Sequence, residues 1–302
     1  MCAGPGQTSL RDCPWCGRQN LTKGLMATCC WVAGSVGKTG AAVLAGQAAL
    51  RGGAGLVTLA TPEPALATIA AAQAEYMTEP LPSTASGTIA AEAIRSGRFA
   101  AALQDKTVLA IGPGVSTHPE TQEFVRSAVA HTDLPIVLDA DGLNAFAGHV
   151  ELLPKRKGAH LVLTPHPGEM ARLLGLSNAQ VQENRVQTAL EAARQWNANV
   201  VLKGFHTVLA SPADEVFINT TGNAGLAKGG SGDVLTGLLA AVIAQFGTHD
   251  LLRVLALGVF LHGLAAELLS QRSDASGILA GEVAHAIPFA RRKLLQELQE
   301  RG

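Results

Sequence analysis

Several short segments hold acids, cations and backbone amides where a ligand could meet them. The segment Gly229-Gly230-Ser231-Gly232-Asp233 runs straight into an apolar helical pattern. Glycines let consecutive amides converge on one point, and a helix N-terminus adds partial positive charge there. Together they suit a transferring phosphoryl group. Asp233, the first acid of that helix, could reach a substrate hydroxyl as general base. The plainer reading is a turn with an aspartate helix cap. Four small residues, then Asp233, then Leu235-Thr236-Gly237, favour the chemical one.

Four other segments compete with or complement this one. Gly34-Ser35-Val36-Gly37-Lys38-Thr39-Gly40 ends like a P-loop, but that loop needs a glycine five positions before Gly37, where Val32 stands. A glycine turn opening a helix beside a ligand remains, and Ala41 to Gly46 has so little side-chain bulk that a flat ligand could lie against it. Leu163-Thr164-Pro165-His166-Pro167-Gly168-Glu169 is stiffened by two prolines. There Glu169 could meet Mg²⁺, directly or through water, and His166 could bind substrate or be an ordinary satisfied polar residue. Asp139-Ala140-Asp141-Gly142-Leu143-Asn144 suits a hydrated cation or a ribose, and equally an Asx-turn opening a helix. Lys203-Gly204-Phe205-His206-Thr207 could pair with a nucleotide phosphate or be a hairpin entry.

The elements that must position these segments alternate in type. Strands are expected at Ala27 to Ala33, Leu56 to Thr61, Thr107 to Ile111, Pro135 to Asp139, Leu161 to Thr164 and Asn199 to Lys203. A hairpin joins Val208-Leu209-Ala210 to Val216-Phe217-Ile218, and from Asp233 the pattern is helical throughout. Such alternation predicts an α/β fold: a central, mostly parallel sheet with helices on both faces, and ligands at strand C-terminal ends. Residues 1–24 read as an N-terminal arm and 25–302 as one domain.

Composition agrees. Of 302 residues, 47% are hydrophobic and 16% charged, enough for a large core. A formal net charge of −1 gives no attraction to nucleic acid or an anionic membrane. Leu251 to Leu269 is very apolar, but Arg253, His262 and Glu267 interrupt it, so it reads as a buried helix. No apolar leader core precedes a cleavage-like site, and a cytoplasmic location is the expectation. The five cysteines, Cys2, Cys13, Cys16, Cys29 and Cys30, include one pair with metal-knuckle spacing. The adjacent Cys29-Cys30 is poorly shaped for tetrahedral chelation, so incidental thiols are expected.

As an ordered set, these segments resemble the ATP- or ADP-dependent NAD(P)H-hydrate dehydratase family, a branch of the ribokinase-like superfamily. The resemblance rests on Ala33-Gly34-Ser35 with Gly37 to Ala45, Arg51-Gly52-Gly53-Ala54-Gly55-Leu56-Val57-Thr58, Ile111 to Gly114, Leu138 to Asn144, Thr164 to Glu169, Leu202-Lys203-Gly204 with Thr207, and Thr221 to Gly237. It implies repair of hydrated NADH or NADPH with ADP or ATP as co-substrate and Mg²⁺. It also implies a homotetramer and a separate epimerase, since the chain has no room for that domain. Ala41, Ala42, Gly112, Gly114, His166 and Asp233 would contact the hydrate. Lys203, Gly204, Phe205, His206, Thr207 and Gly232 would hold the nucleotide, and Gly229, Gly230, Ser231, Gly232 and Asp233 would be catalytic. The family usually has His-Lys-Gly before the first strand, where this chain has Thr22-Lys23-Gly24. Two other expectations fit the same residues: a small-molecule kinase, which would release a stable phosphorylated product, and a non-catalytic nucleotide-binding protein.

Overall fold

The structure, a computed structural model, describes residues 27–301. The expected arm, with Cys2, Cys13, Cys16 and the Thr22-Lys23-Gly24 turn, lies outside these residues. Nine strands form one sheet: β1 (Thr28–Val32), β2 (Leu56–Pro62), β3 (Tyr76–Leu81), β4 (Val108–Ile111), β5 (Ile136–Leu138), β6 (Leu161–Leu163), β7 (Asn199–Leu202), β8 (Val208–Ala210) and β9 (Val216–Ile218). Their spatial order is β3-β2-β1-β4-β5-β6-β7-β8-β9. Pairing is parallel from β3 to β7, and β8 and β9 close the edge as an antiparallel hairpin.

The helices are α1 (Thr39–Gly52), α2 (Glu63–Ala70), α3 (Glu92–Arg95), α4 (Arg98–Ala102), α5 (Pro119–His131), α6 (Asp141–Asn144), α7 (Pro167–Leu174), α8 (Asn178–Glu183), α9 (Arg185–Trp196), α10 (Ser231–Phe246), α11 (Leu251–Ser270) and α12 (Ala280–Arg301). They cover both faces, as expected. Successive residues of a strand point to opposite faces. On β1, Cys29 and Trp31 face the core made with α1, α10, α11 and α12, whereas Cys30 and Val32 face the one made with α5, α7 and α9. The two thiols therefore cannot share a metal. Burial pushes the Cys30 thiol up to about 12, which makes it an inert core side chain.

The inner strands are continuous apolar runs because both faces are covered. β3 is different: its exposure alternates, and Pro80 sits within it. Proline is tolerated there because β3 is an edge strand. Tyr76 ties that edge inward by donating from its hydroxyl to Val43 O at 2.6 Å.

The small residues of α1 prove to serve packing. A Cβ on Gly237 of α10 would lie 2.1 Å from Ala45 O, and one on Gly46 would lie 3.0 Å from the Tyr76 ring. Close helix contact, not a flat ligand, occupies that face. Helix α11 is long and apolar enough to cross a bilayer, but 67% of its most apolar window is buried in the fold.

Candidate active site

The chain leaves β1 toward β2 and β3 on one side, and from β4 onward builds the sheet on the other. The strand ends at β1 and β4 form the topological switch point, where loops diverge and leave a crevice. A cavity of about 490 Å³ lies there, lined by Gly37, Lys38, Gly40 and Ala41 after β1, Gly114 after β4, and Ala140, Asp141 and Asn144 after β5. His166, Glu169 and Arg172 after β6 and Asp233 from α10 complete the wall. The loops are tied together: Gly34 N donates to Pro113 O at 2.8 Å and Ser35 Oγ to Gly114 O at 2.8 Å. Lys38 pairs with an acid, its Nζ lying 3.0 Å from Asp141 Oδ2.

Beneath the cavity is a buried ionic network. Asp139, 1% exposed, receives Lys203 Nζ at 2.7 Å on one oxygen and Thr236 Oγ1 at 2.6 Å on the other. Glu169 Oε2 lies 3.7 Å from the same ammonium. Burial pulls the Lys203 pKa down, but the Asp139 and Glu169 carboxylates outweigh it and raise it, so the lysine is charged. A Cβ on Gly232 would lie 3.3 Å from Lys203 Nζ, which puts this cation against the first turn of α10.

Asp233 stands in that turn with no ion-pair partner among the described residues. Burial first, then the neighbouring Asp139 charge, push its carboxyl up to about 7, against the opposing pull of Lys203. A carboxyl poised near neutrality facing a cavity has the acidity a general base needs. The amides of Gly229, Gly230, Gly232 and Asp233 have no backbone acceptor among the described residues, so four donors remain at the helix entrance. Ser231 departs from expectation. Its amide donates to Lys228 O at 3.2 Å and its hydroxyl is buried, so neither reaches a ligand. Gly230 must be glycine: its φ is 92°, and a Cβ would lie 2.5 Å from Leu44 Cδ1.

His166 is the N-cap of α7. Its Nδ1 accepts from Gly168 N at 3.0 Å and Glu169 N at 3.2 Å, while His166 N donates to Glu169 Oε2 at 2.7 Å. This capping box leaves the ring proton on Nε2. Burial lowers the His166 pKa; the Glu169 carboxylate opposes this, but the Lys203 and Arg172 charges add to the lowering, which favours the neutral ring.

Two expected substrate contacts are displaced. Ala42 is fully buried, beneath Gly34. Gly112 is buried too: a Cβ there would lie 1.8 Å from Asp139 O, so it lets β4 and β5 loops approach. Ala41 and Gly114 line the cavity.

A sequence model of the NAD(P)H-hydrate dehydratase family matches residues 29–289. The chain belongs to this family. It is 36% identical to the ADP-dependent (S)-NAD(P)H-hydrate dehydratase of Neisseria meningitidis, over 91% of this chain and 88% of that one. It is 42% identical to the bifunctional NAD(P)H-hydrate repair enzyme of Moorella thermoacetica, over 92% of this chain and 51% of that protein. The chain thus spans about half the length of the bifunctional relatives it matches. Its fold superposes on the Bacillus subtilis ADP/ATP-dependent NAD(P)H-hydrate dehydratase, co-crystallised with ATP and Mg²⁺, with a TM-score of 0.77 at 33% identity, covering 91% of this chain and 92% of that one. A ribokinase-like protein of Enterococcus faecalis shares the fold with a TM-score of 0.75 at 24% identity, covering 91% of this chain and 90% of that one.

In this family member, the expected nucleotide segment forms the β7–β8 turn. Gly204 has φ 140° and His206 φ 55°. Phe205 is 81% exposed and its ring lies 3.9 Å from that of His206. Arg185, a residue the sequence motifs did not single out, staples the turn: it donates to Leu202 O at 3.0 Å, Lys203 O at 3.3 Å and Phe205 O. Asp139 and Thr236 both lie in segments that the sequence singled out, but their contact with each other and with Lys203 emerges only in three dimensions. Among the described residues no three acids, histidines or cysteines cluster as a metal cage. Glu169, the expected Mg²⁺ contact, is engaged by His166 N and faces Lys203. The described residues therefore offer a cation the Glu169 carboxylate and no cage.

Proposed function

We propose that this chain dehydrates the S-epimer of hydrated NADH and NADPH, with ADP or ATP as phosphoryl donor. The observation that carries the reading is Asp233, near-neutral in acidity and open to the cavity, beside the amides of Gly229, Gly230 and Gly232, which have no backbone acceptor among the described residues. The hydrated nicotinamide ring would enter between Ala41, Gly114 and His166. The nucleotide would lie along Lys203 to Thr207, with Phe205 and His206 offering ring faces to its base. Glu169 is the residue that would meet Mg²⁺, which would supply charge neutralisation at the nucleotide phosphates.

Hydroxide leaves a ring carbon poorly and phosphate leaves well. Asp233 takes the hydroxyl proton as that oxygen attacks the terminal phosphorus, and the bond to the nucleotide breaks. Amides at Gly229, Gly230 and Gly232, with Lys203 beneath them, hold the charge that develops. The ring nitrogen lone pair then expels phosphate, and loss of a proton from the adjacent carbon restores the dihydropyridine. The sum is hydrate plus ADP giving NADH, AMP and phosphate, or ADP and phosphate when ATP is the donor.

Product analysis tests this. Hydrated NADH with ADP or ATP should yield free phosphate and NADH in equal amounts. A stable phosphorylated compound without NADH would make the protein a kinase; nucleotide binding without phosphate release would make it a non-catalytic binder. The same reading extends to a homotetramer and a separate epimerase as functional partner. Leu279 and Phe289, 58% and 66% exposed at and on α12, support a subunit contact there. The reading extends to a cytoplasmic site of action.

A further inference from the structure

The cavity wall carries three acids, Asp141, Glu169 and Asp233, yet the substrate proposed above is a dinucleotide whose pyrophosphate is negatively charged. Some cation must offset that charge outside the reacting end. Lys38 is matched by Asp141 at 3.0 Å. Lys203 is matched by Asp139 at 2.7 Å and lies under Gly232, at the phosphoryl-transfer end. The His166 ring is neutral.

Arg172 is different. It lies on α7, three residues after Glu169 and so on the same helix side. Its Nε donates to Asn144 Oδ1 at 3.1 Å, and Asn144 is held in turn by Nδ2 donating to Asp141 Oδ1 at 3.4 Å. The two terminal nitrogens have no protein acceptor among the described residues. The result is a guanidinium fixed through its Nε at a cavity wall with its planar fork unused. Such a fork matches two phosphate oxygens at once. Its charge already reaches into the site, since it helps depress the His166 pKa.

We infer that Arg172, oriented by Asn144, binds the pyrophosphate of the hydrated dinucleotide and so contributes to substrate affinity. The inference rests on the dehydratase reading. It assigns Arg172 to the part shared by NADH and NADPH hydrates, not to the 2′-phosphate.

Steady-state kinetics with hydrated NADH and hydrated NADPH, together with calorimetric binding of hydrated NADH without nucleotide, test it. Arg172→Gln should raise KM for both hydrates about ten- to hundredfold, the range for loss of charge-assisted hydrogen bonds. The kcat and the nucleotide KM should hold, and the calorimetric Kd should weaken in step. Arg172→Lys should recover only part, because an ammonium lacks the fork, and Asn144→Ala should show a smaller rise. Arg172 is exposed, so an unchanged melting temperature is expected and separates recognition from folding. An unchanged KM, a loss confined to kcat, or a rise confined to hydrated NADPH would overturn the assignment. Wild-type protein that binds the hydrate without turning it over would instead remove the dehydratase reading, and the calorimetric comparison would still decide Arg172. Wild-type protein that binds neither hydrate would remove both.

Discussion

Lys203 Nζ lies 2.7 Å from Asp139 Oδ1 while Thr236 Oγ1 donates to Asp139 Oδ2 at 2.6 Å, so one buried carboxylate joins the ends of β5, β7 and α10. Both charges are paired and both carboxylate oxygens are occupied. Removing one partner of such a pair strands the other in a low-dielectric interior, which costs about 3–5 kcal/mol. Asp139→Ala should therefore destabilise the protein by roughly that amount. Urea unfolding measures it, and a change under about 1 kcal/mol would show that water already screens Lys203.

The acidity of Asp233 has consequences for rate and for stability. As a base it works only when ionised, so kcat/KM should fall about tenfold per pH unit below about 7. Its folded pKa lies above the ordinary 3.8, so the folded state holds the proton more tightly than the unfolded one. Stability is then fully present below about 4 and declines as pH rises to 7, by up to a few kcal/mol. Asp233→Asn should melt higher than wild type at pH 8 and equally at pH 4. Equal melting temperatures at both pH values would refute the burial cost.

His262 runs the other way. Burial depresses it to about 4, against an opposing pull from the Ser231 backbone. The unfolded chain takes up a proton near 6.5 and the folded one does not until about 4. Stability is therefore complete above 6.5 and lost as pH falls to 4, by about 3 kcal/mol. Melting temperature measured against pH in His262→Gln should be flatter across that window; a slope equal to wild type would assign the loss to other groups.

Arg185 shapes the β7–β8 turn through three carbonyls, those of Leu202, Lys203 and Phe205. Arg185→Ala should raise the nucleotide KM about tenfold by loosening the turn, with the hydrate KM little changed. Initial rates with either substrate varied will separate the two. A change in the hydrate KM alone would place the nucleotide elsewhere.

How far the sequence could be read depended on the range of the interaction. The inner strands and the β8–β9 hairpin were legible within a residue or two, because strands buried on both faces are unbroken apolar runs. β3 was not, since Pro80 and its alternating exposure mark an edge. Asp233 was visible because glycines before a helix are a local signal. The Asp139–Lys203–Thr236 network was not, because its partners are 64 and 97 residues apart. Ala42 and Gly112 misled for one reason: small residues serve close packing as readily as ligands, and only the fold shows which.

The central claim is that Asp233 activates a hydroxyl whose phosphate then departs. The direct measurement is restoration of the reduced-nicotinamide absorbance of hydrated NADH, with ADP and with ATP, in wild type and in Asp233→Asn. The account predicts restoration with matching phosphate release in wild type, and loss of both in a variant that remains folded. Full turnover by Asp233→Asn, or phosphate consumed into a stable product with no absorbance regained, would contradict it.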